Sequence, residues 1–151
     1  MKRVLFFLLI FITVCGCKKD KTDYTATDHQ IILDYIASHN ITNAKSTSSG
    51  LYYVIEKEGG STHPTSASTV ILNYSGYLTD GSIFDQAPVG YPATISLGSV
   101  IKGWQEGIPL FGRGGKGKLL IPSALGYGST GSYGIPANSV LIFDIELIDF
   151  Y

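Results

Sequence analysis

Residues 68–78 read STVILNYSGYL, and apolar and polar positions alternate along them. Val70, Leu72 and Tyr74 share one face of an extended segment, the period expected of a half-buried strand. The same alternation returns in residues 139–151, SVLIFDIELIDFY, which puts Leu141, Phe143, Ile145 and Leu147 on one face. Shorter strand-like runs are LYYVIEKEGG (residues 51–60), SIFD (82–85), PATISL (92–97) and KGKLLIP (116–122). Between the first of the long strands and SIFD lies TDGS, in which Asp80-Gly81 predicts a hairpin turn that needs positive φ.

Two segments carry a helical period instead. In DHQIILDYIASHN, residues 28–40, Ile31, Ile32, Tyr35 and Ile36 fall at helical spacing, with Asp28 or Thr27 as the cap. A helix this short is marginal alone, so it packs on the domain or serves as a spacer; its stripe is too short to favour a coiled-coil arm. In VIKGWQEGI, residues 100–108, Ile101, Trp104 and Ile108 lie at i, i+3 and i+7, and Pro109 bounds the segment. The pattern predicts five or six strands and one short helix over residues 101–108. Without a βαβ rhythm, the expected class is α+β: an antiparallel sheet with a helix on one face. The hollow between sheet and helix would have Trp104, the only tryptophan, as its floor.

Composition agrees with this picture. The 151 residues suggest one domain with appendages, and 18 glycines and 10 tyrosines suit a turn-rich, sheet-dominated fold. Acidic and basic residues number 12 and 11, and no block of like charge points to nucleic acid.

The first residues stand apart. MKRVLFFLLIFITVCGCKKDK has a basic start and an apolar run from Val4 to Val14, which is a secretory signal too short for a comfortable membrane span. It ends in Val14-Cys15-Gly16-Cys17, which resembles a bacterial lipobox. The expected organisation is a lipoprotein signal peptide at residues 1–16, a lipidated tether with a short helix and linker at 17–48, and a folded domain at 49–151. Cys17 would carry lipid, so no internal disulfide is expected. The expected location is the bacterial cell envelope, lipid-anchored. Lys18 after the cysteine points to the outer membrane, on its periplasmic or surface face.

Four segments occur in order: YSGYLTDGSIFD, VIKGWQEGI, IPSALGYG and ANSVLIFDIEL. Together they resemble the signature segments of the FKBP-type peptidyl-prolyl cis-trans isomerases, from about Ser49 to Phe150. The resemblance implies an antiparallel half-barrel wrapped around one short helix. It implies a proline-sized cavity made by Tyr74, Phe84, Asp85, Ile101, Trp104, Tyr127 and Phe143, with Val100 and Ile135 completing the substrate pocket. The N–H of Ile101 and the hydroxyl of Tyr127 would bind substrate carbonyls. The implied activity is isomerisation of X–Pro bonds in exported proteins during folding, without cofactor or metal. The implied partners are proline-containing peptides or unfolded proteins, and macrolide inhibitors such as rapamycin; a monomer is expected. A non-catalytic, chaperone-like binder of proline-containing or apolar segments is the rival.

Three departures from the family's pattern bear on the cavity. Ala93 stands where a phenylalanine is frequent, QAPVGYP lacks the basic residue that often pairs with the aspartate, and GSTGSYGIPAN is one residue short. A cavity more open on one side is expected. GRGGKGKL, residues 112–119, nearly spells a phosphate loop. Leu119 replaces the hydroxyl residue, though, and the segment leads into a strand, so a turn is expected. His29, His39 and His63 lack metal-ligand spacing.

Overall fold

The computed structural model describes residues 24–151. The signal segment at 1–16, Cys17 and the first part of the tether lie outside the described residues. The order is α1 (Thr25–Ser38), β1 (Lys45–Ser46), β2 (Tyr52–Lys57), β3 (Thr69–Tyr77), β4 (Ile83–Gln86), β5 (Ala93–Ser96), α2 (Lys102–Gly107), β6 (Lys116–Ile121) and β7 (Leu141–Phe150). The strands form one antiparallel sheet in the order β1-β2-β6-β7-β3-β4. β3 shares its outer edge between two partners: Thr69–Leu72 pair with β5, and Ser75–Tyr77 pair with β4. The Asp80-Gly81 turn forms as its sequence predicts. Gly81 has φ +86°, and the Asp80 carboxylate accepts from the Ser82 N–H at 2.9 Å.

The alternation of β3 and β7 sorts their side chains onto two faces. Val70, Leu72, Leu141, Phe143, Ile145 and Leu147 pack inward with Trp104, Ile108 and Phe111. α2 lies against this inner face, and two glycines let it sit close. A Cβ at Gly103 would lie 2.5 Å from Ile121 Cγ2, and one at Gly107 would lie 2.7 Å from Leu119 Cδ1. That answers why so short a segment, poor in helix formers, carries the largest side chain: the glycines give helix propensity away to bring Trp104 onto the sheet. Pro109 does not stop the chain's winding, because Ile108–Leu110 continue as a 3₁₀ turn after α2.

α1 covers the outer face. Ile32 and Tyr35 pack with Val54, Leu120, Val140 and Ile142 in a second cluster. Of the two roles open to it, the helix packs on the domain. It starts three residues earlier than its periodicity suggested, after Tyr24, and no side chain caps it. Asp28 is not a cap, because its carboxylate turns into the protein. The segment read as a linker holds β1, which pairs with β2 through Lys45↔Tyr53 and Ser46↔Tyr52. Both β1 residues are exposed, so no apolar pattern announced it. The near phosphate loop is a turn into β6, with the Gly115 N–H on Gly112 O at 2.8 Å and Gly114 at φ +76°.

A polar network joins β3, β6 and β7 on the same outer face. Lys118 Nζ donates to Tyr77 Oη at 2.7 Å and pairs with Asp144, and Tyr77 Oη donates to Asp144 at 3.2 Å. Burial pushes the Tyr35 and Tyr77 hydroxyls up to about 12, with their mutual hydrogen bond adding to the rise at Tyr35. A raised value means that the folded state holds these protons more tightly than the unfolded state. The associated stability is complete below the ordinary tyrosine value of 10.0 and is lost as pH rises towards about 12. Melting temperatures should therefore be level to about pH 9 and fall between about pH 10 and 12. The fall should be smaller in Tyr35→Phe; equal slopes in the two proteins would contradict it.

Candidate functional site

β3, β4, β7 and α2 bring four aromatic rings together on the inner face. Trp104 meets Tyr74 edge-on, with centroids 5.0 Å apart and planes at 87°. It meets Phe143 likewise at 5.1 Å and 79°. Phe84 completes the set against Phe143 at 5.5 Å and 83°. Edge-to-face pairs at these distances are favourable beyond their buried area. Gly76 makes the arrangement possible: a Cβ there would lie 2.6 Å from Phe143 Cε1 and 2.8 Å from Phe84 Cε2.

Beside these rings opens a cavity of about 260 Å³. Eight of the residues singled out from sequence line it: Tyr74, Phe84, Asp85, Val100, Ile101, Trp104, Tyr127 and Phe143. Ile135 is the exception. It is 6% exposed, belongs to the inner core and is not among the lining residues. Its loop folds back so that Ser132 N–H donates to Ile135 O at 2.9 Å and Ile135 N–H returns to Ser132 O, which carries the side chain inward. Ile95 and Ser99 line the cavity without having been selected. The alternation in PATISL could have found Ile95, but nothing in the sequence marked Ser99. Cys17 lies outside the described residues.

The polar groups are few. The Tyr74 hydroxyl donates to Asp85 Oδ2 at 2.8 Å. Burial first, and this bond second, raise Tyr74 far above the usual tyrosine range, so it remains a donor at any physiological pH. Asp85 is exposed and has no ion pair among the described residues. Trp104 is 4% exposed and its Nε1–H has no acceptor among the described residues. Ile101 O accepts from the N–H groups of Trp104 and Gln105 at 3.0 and 3.2 Å, while the Ile101 N–H has no acceptor among the described residues. Tyr127 is 39% exposed, and its hydroxyl has no hydrogen bond among those residues. Ala93 pairs with Leu72 in the β3–β5 register.

None of the three histidines lines the cavity, and the described residues hold no cluster suited to a metal ion. A second hollow, beside Lys116, Asp144 and Glu146, is more open and charged, and it is not where the aromatic rings meet. The inner site is therefore a receptacle for a compact apolar ring, with two free donors (Ile101 N–H and Tyr127 Oη) and one acid at its rim.

Residues 60–148 match the FKBP-type peptidyl-prolyl cis-trans isomerase family, and the chain belongs to that family. It is 44% identical over 133 residues to the FKBP-type isomerase FkpA of Aeromonas hydrophila, covering 86% of this chain and 50% of that protein. The crystal structure of FkpA from Escherichia coli superposes with a TM-score of 0.74 at 39% identity, covering 83% of this chain and 60% of that one. A peptidyl-prolyl cis-trans isomerase from Pseudomonas syringae gives 0.71 at 30% identity, covering 83% and 95%. The chain thus spans about half the length of the curated relatives it matches.

Proposed function

We propose that the protein catalyses cis–trans isomerisation of X–Pro bonds in exported polypeptides as they fold. The observation that carries this is the aromatic cavity, lined by Tyr74, Phe84, Trp104 and Phe143 and bounded by a tyrosine–aspartate hydrogen bond. X–Pro rotation faces a barrier of about 18–20 kcal/mol, set by amide resonance. No covalent step is needed. The protein has only to bind the twisted amide better than either planar form, and each ~1.4 kcal/mol of preference gives about tenfold in rate.

The chain's groups divide this work. The four rings hold the pyrrolidine and exclude water. A dry surround disfavours the charge-separated resonance form and so favours twisting. Ile101 N–H and Tyr127 Oη fix the carbonyls on either side of the turning bond. Asp85, held by Tyr74, sits at the rim and acts by position and electrostatics rather than by proton transfer. The same cavity would admit only a ring-sized part of a macrolide such as rapamycin, which would then compete with substrate.

The test is proline-limited refolding of an unfolded protein substrate. Asp85→Ala should lower kcat/KM about tenfold and Tyr127→Phe about fivefold, with fold stability changed by about 1 kcal/mol or less. The binder alternative predicts no acceleration for any of these proteins.

The proposal extends to location. The lipobox-like Val14-Cys15-Gly16-Cys17 supports a lipid anchor at Cys17, in the bacterial envelope and on the outer membrane, with the domain acting as a monomer. Growth with a radiolabelled fatty acid should label the wild type and leave Cys17→Ala unlabelled. Label on both, or on neither, would remove the anchor.

A further inference from the structure

Asp28 is 1% exposed, on the outer-face helix and remote in sequence from every cavity residue. Its Oδ2 accepts two hydrogen bonds from one residue, the Ser123 N–H at 2.8 Å and the Ser123 Oγ–H at 2.7 Å. Its Oδ1 has no partner among the described residues. Burying a carboxyl group with one oxygen unsatisfied is costly, and such a group calls for an explanation.

Ser123 supplies it. This residue is 3% exposed and opens the 3₁₀ turn Ser123–Leu125, which follows β6. Its carbonyl accepts from two N–H groups, Gly126 at 3.0 Å and Gly128 at 2.8 Å. Those two residues flank Tyr127, the cavity residue whose hydroxyl is free. Gly128 in turn holds the far end of the loop, its carbonyl accepting from Asn138 N–H at 2.8 Å. The chain of contacts runs from the carboxylate of α1, through the N–H, hydroxyl and carbonyl of Ser123, to the N–H groups of Gly126 and Gly128, the neighbours of Tyr127. Gly128 at φ +56° and Gly126 at φ −106°, ψ −117° leave that short span little intrinsic stiffness of its own.

We propose that Asp28 is a positioning residue: it clamps the Ser123 turn and so fixes Tyr127 at the mouth of the cavity, making α1 part of the working site. Its effect on turnover rests on the isomerase reading; the clamp itself does not.

Two measurements on the full chain separate the two. The first is amide hydrogen exchange. In Asp28→Ala, exchange at Gly126 and Gly128 should rise at least about tenfold while amides of β3 and β7 keep their protection. Asp28→Asn, which retains an oxygen acceptor for both Ser123 donors, should stay near wild type. Ser123→Ala, which removes one bond and leaves the N–H in place, should fall between and serves should Asp28→Ala fail to fold. Unchanged exchange at the two glycines in a folded variant would overturn the clamp.

The second is kcat/KM for a proline tetrapeptide. Asp28→Ala should lose about fivefold in the wild-type background and almost nothing further in Tyr127→Ala, because residues acting in series are not additive. A full fivefold loss in both backgrounds would overturn action through Tyr127. An inactive wild type would defeat the isomerase reading, and the exchange arm would still decide the clamp.

Discussion

Gly117→Ala is expected to cost about 4 kcal/mol and lower the melting temperature by about 10–15 °C. Gly117 lies in β6 between β2 and β7, opposite Ile55 and Ile145. A Cβ there would stand 1.9 Å from Val54 O and 2.9 Å from Phe111 Cε1. The first neighbour is backbone, so no rotamer relieves the clash; β2 must move away from β6. That pairing joins β2 to the rest of the sheet, and Val54 also carries part of the packing under α1. Gly103→Ala meets only the Ile121 side chain, at 2.5 Å (Cγ2), 2.8 Å (Cδ1) and 3.0 Å (Cγ1), and should cost less, about 1–3 kcal/mol. Thermal melts of the two variants check the order. A Gly117→Ala protein as stable as Gly103→Ala would show that the close approach of β2 and β6 is not a constraint.

Trp104→Ala should remove both function and part of the fold. The indole is buried between Tyr74 and Phe143, and truncating a buried tryptophan costs about 3–5 kcal/mol. Because one side of the ring already faces the cavity, the void joins that space and fills with water, which places the cost at the lower end. Water is also what the chemistry must exclude, so kcat/KM should fall about a hundredfold, equivalent to ~2.7 kcal/mol. Trp104→Leu keeps an apolar floor. It should recover most of the stability and only part of the activity. If Trp104→Ala folds and keeps activity within about twofold, the floor has no part in stabilising the twisted amide.

These two residues also show how far the sequence could be read. Trp104 was legible because it combines a helical period with a short segment between glycines. Strands β3 and β7 were legible because apolar residues alternate with polar or half-buried ones along most of each, although Ile142 on the outer face is buried beneath α1. Gly117 was not: a glycine in a strand does not say what backbone approaches it, and Val54 is 63 positions away in sequence. β1 escaped because both its residues are exposed, and its two-residue pairing depends on β2 being in place. An acid or threonine at a helix start suggests a cap, which made Asp28 and Thr27 the candidates, whereas the partner of Asp28, Ser123, lies 95 positions away in sequence. Ile135 is a pocket position that the family resemblance implies, yet it belongs to the inner core and is not among the residues that line the cavity. Local period was visible wherever burial is one-sided; contacts set by distant backbone were not.

The central claim is that X–Pro bonds turn over in the aromatic cavity. The most direct measurement is the cis–trans exchange rate of a proline tetrapeptide, read by NMR exchange spectroscopy with catalytic amounts of wild-type protein. Exchange should be far faster than the uncatalysed tens to hundreds of seconds, rising in proportion to protein added. Exchange at the uncatalysed rate, from protein whose spectrum shows the folded domain, would contradict it and leave the cavity as a binding site alone.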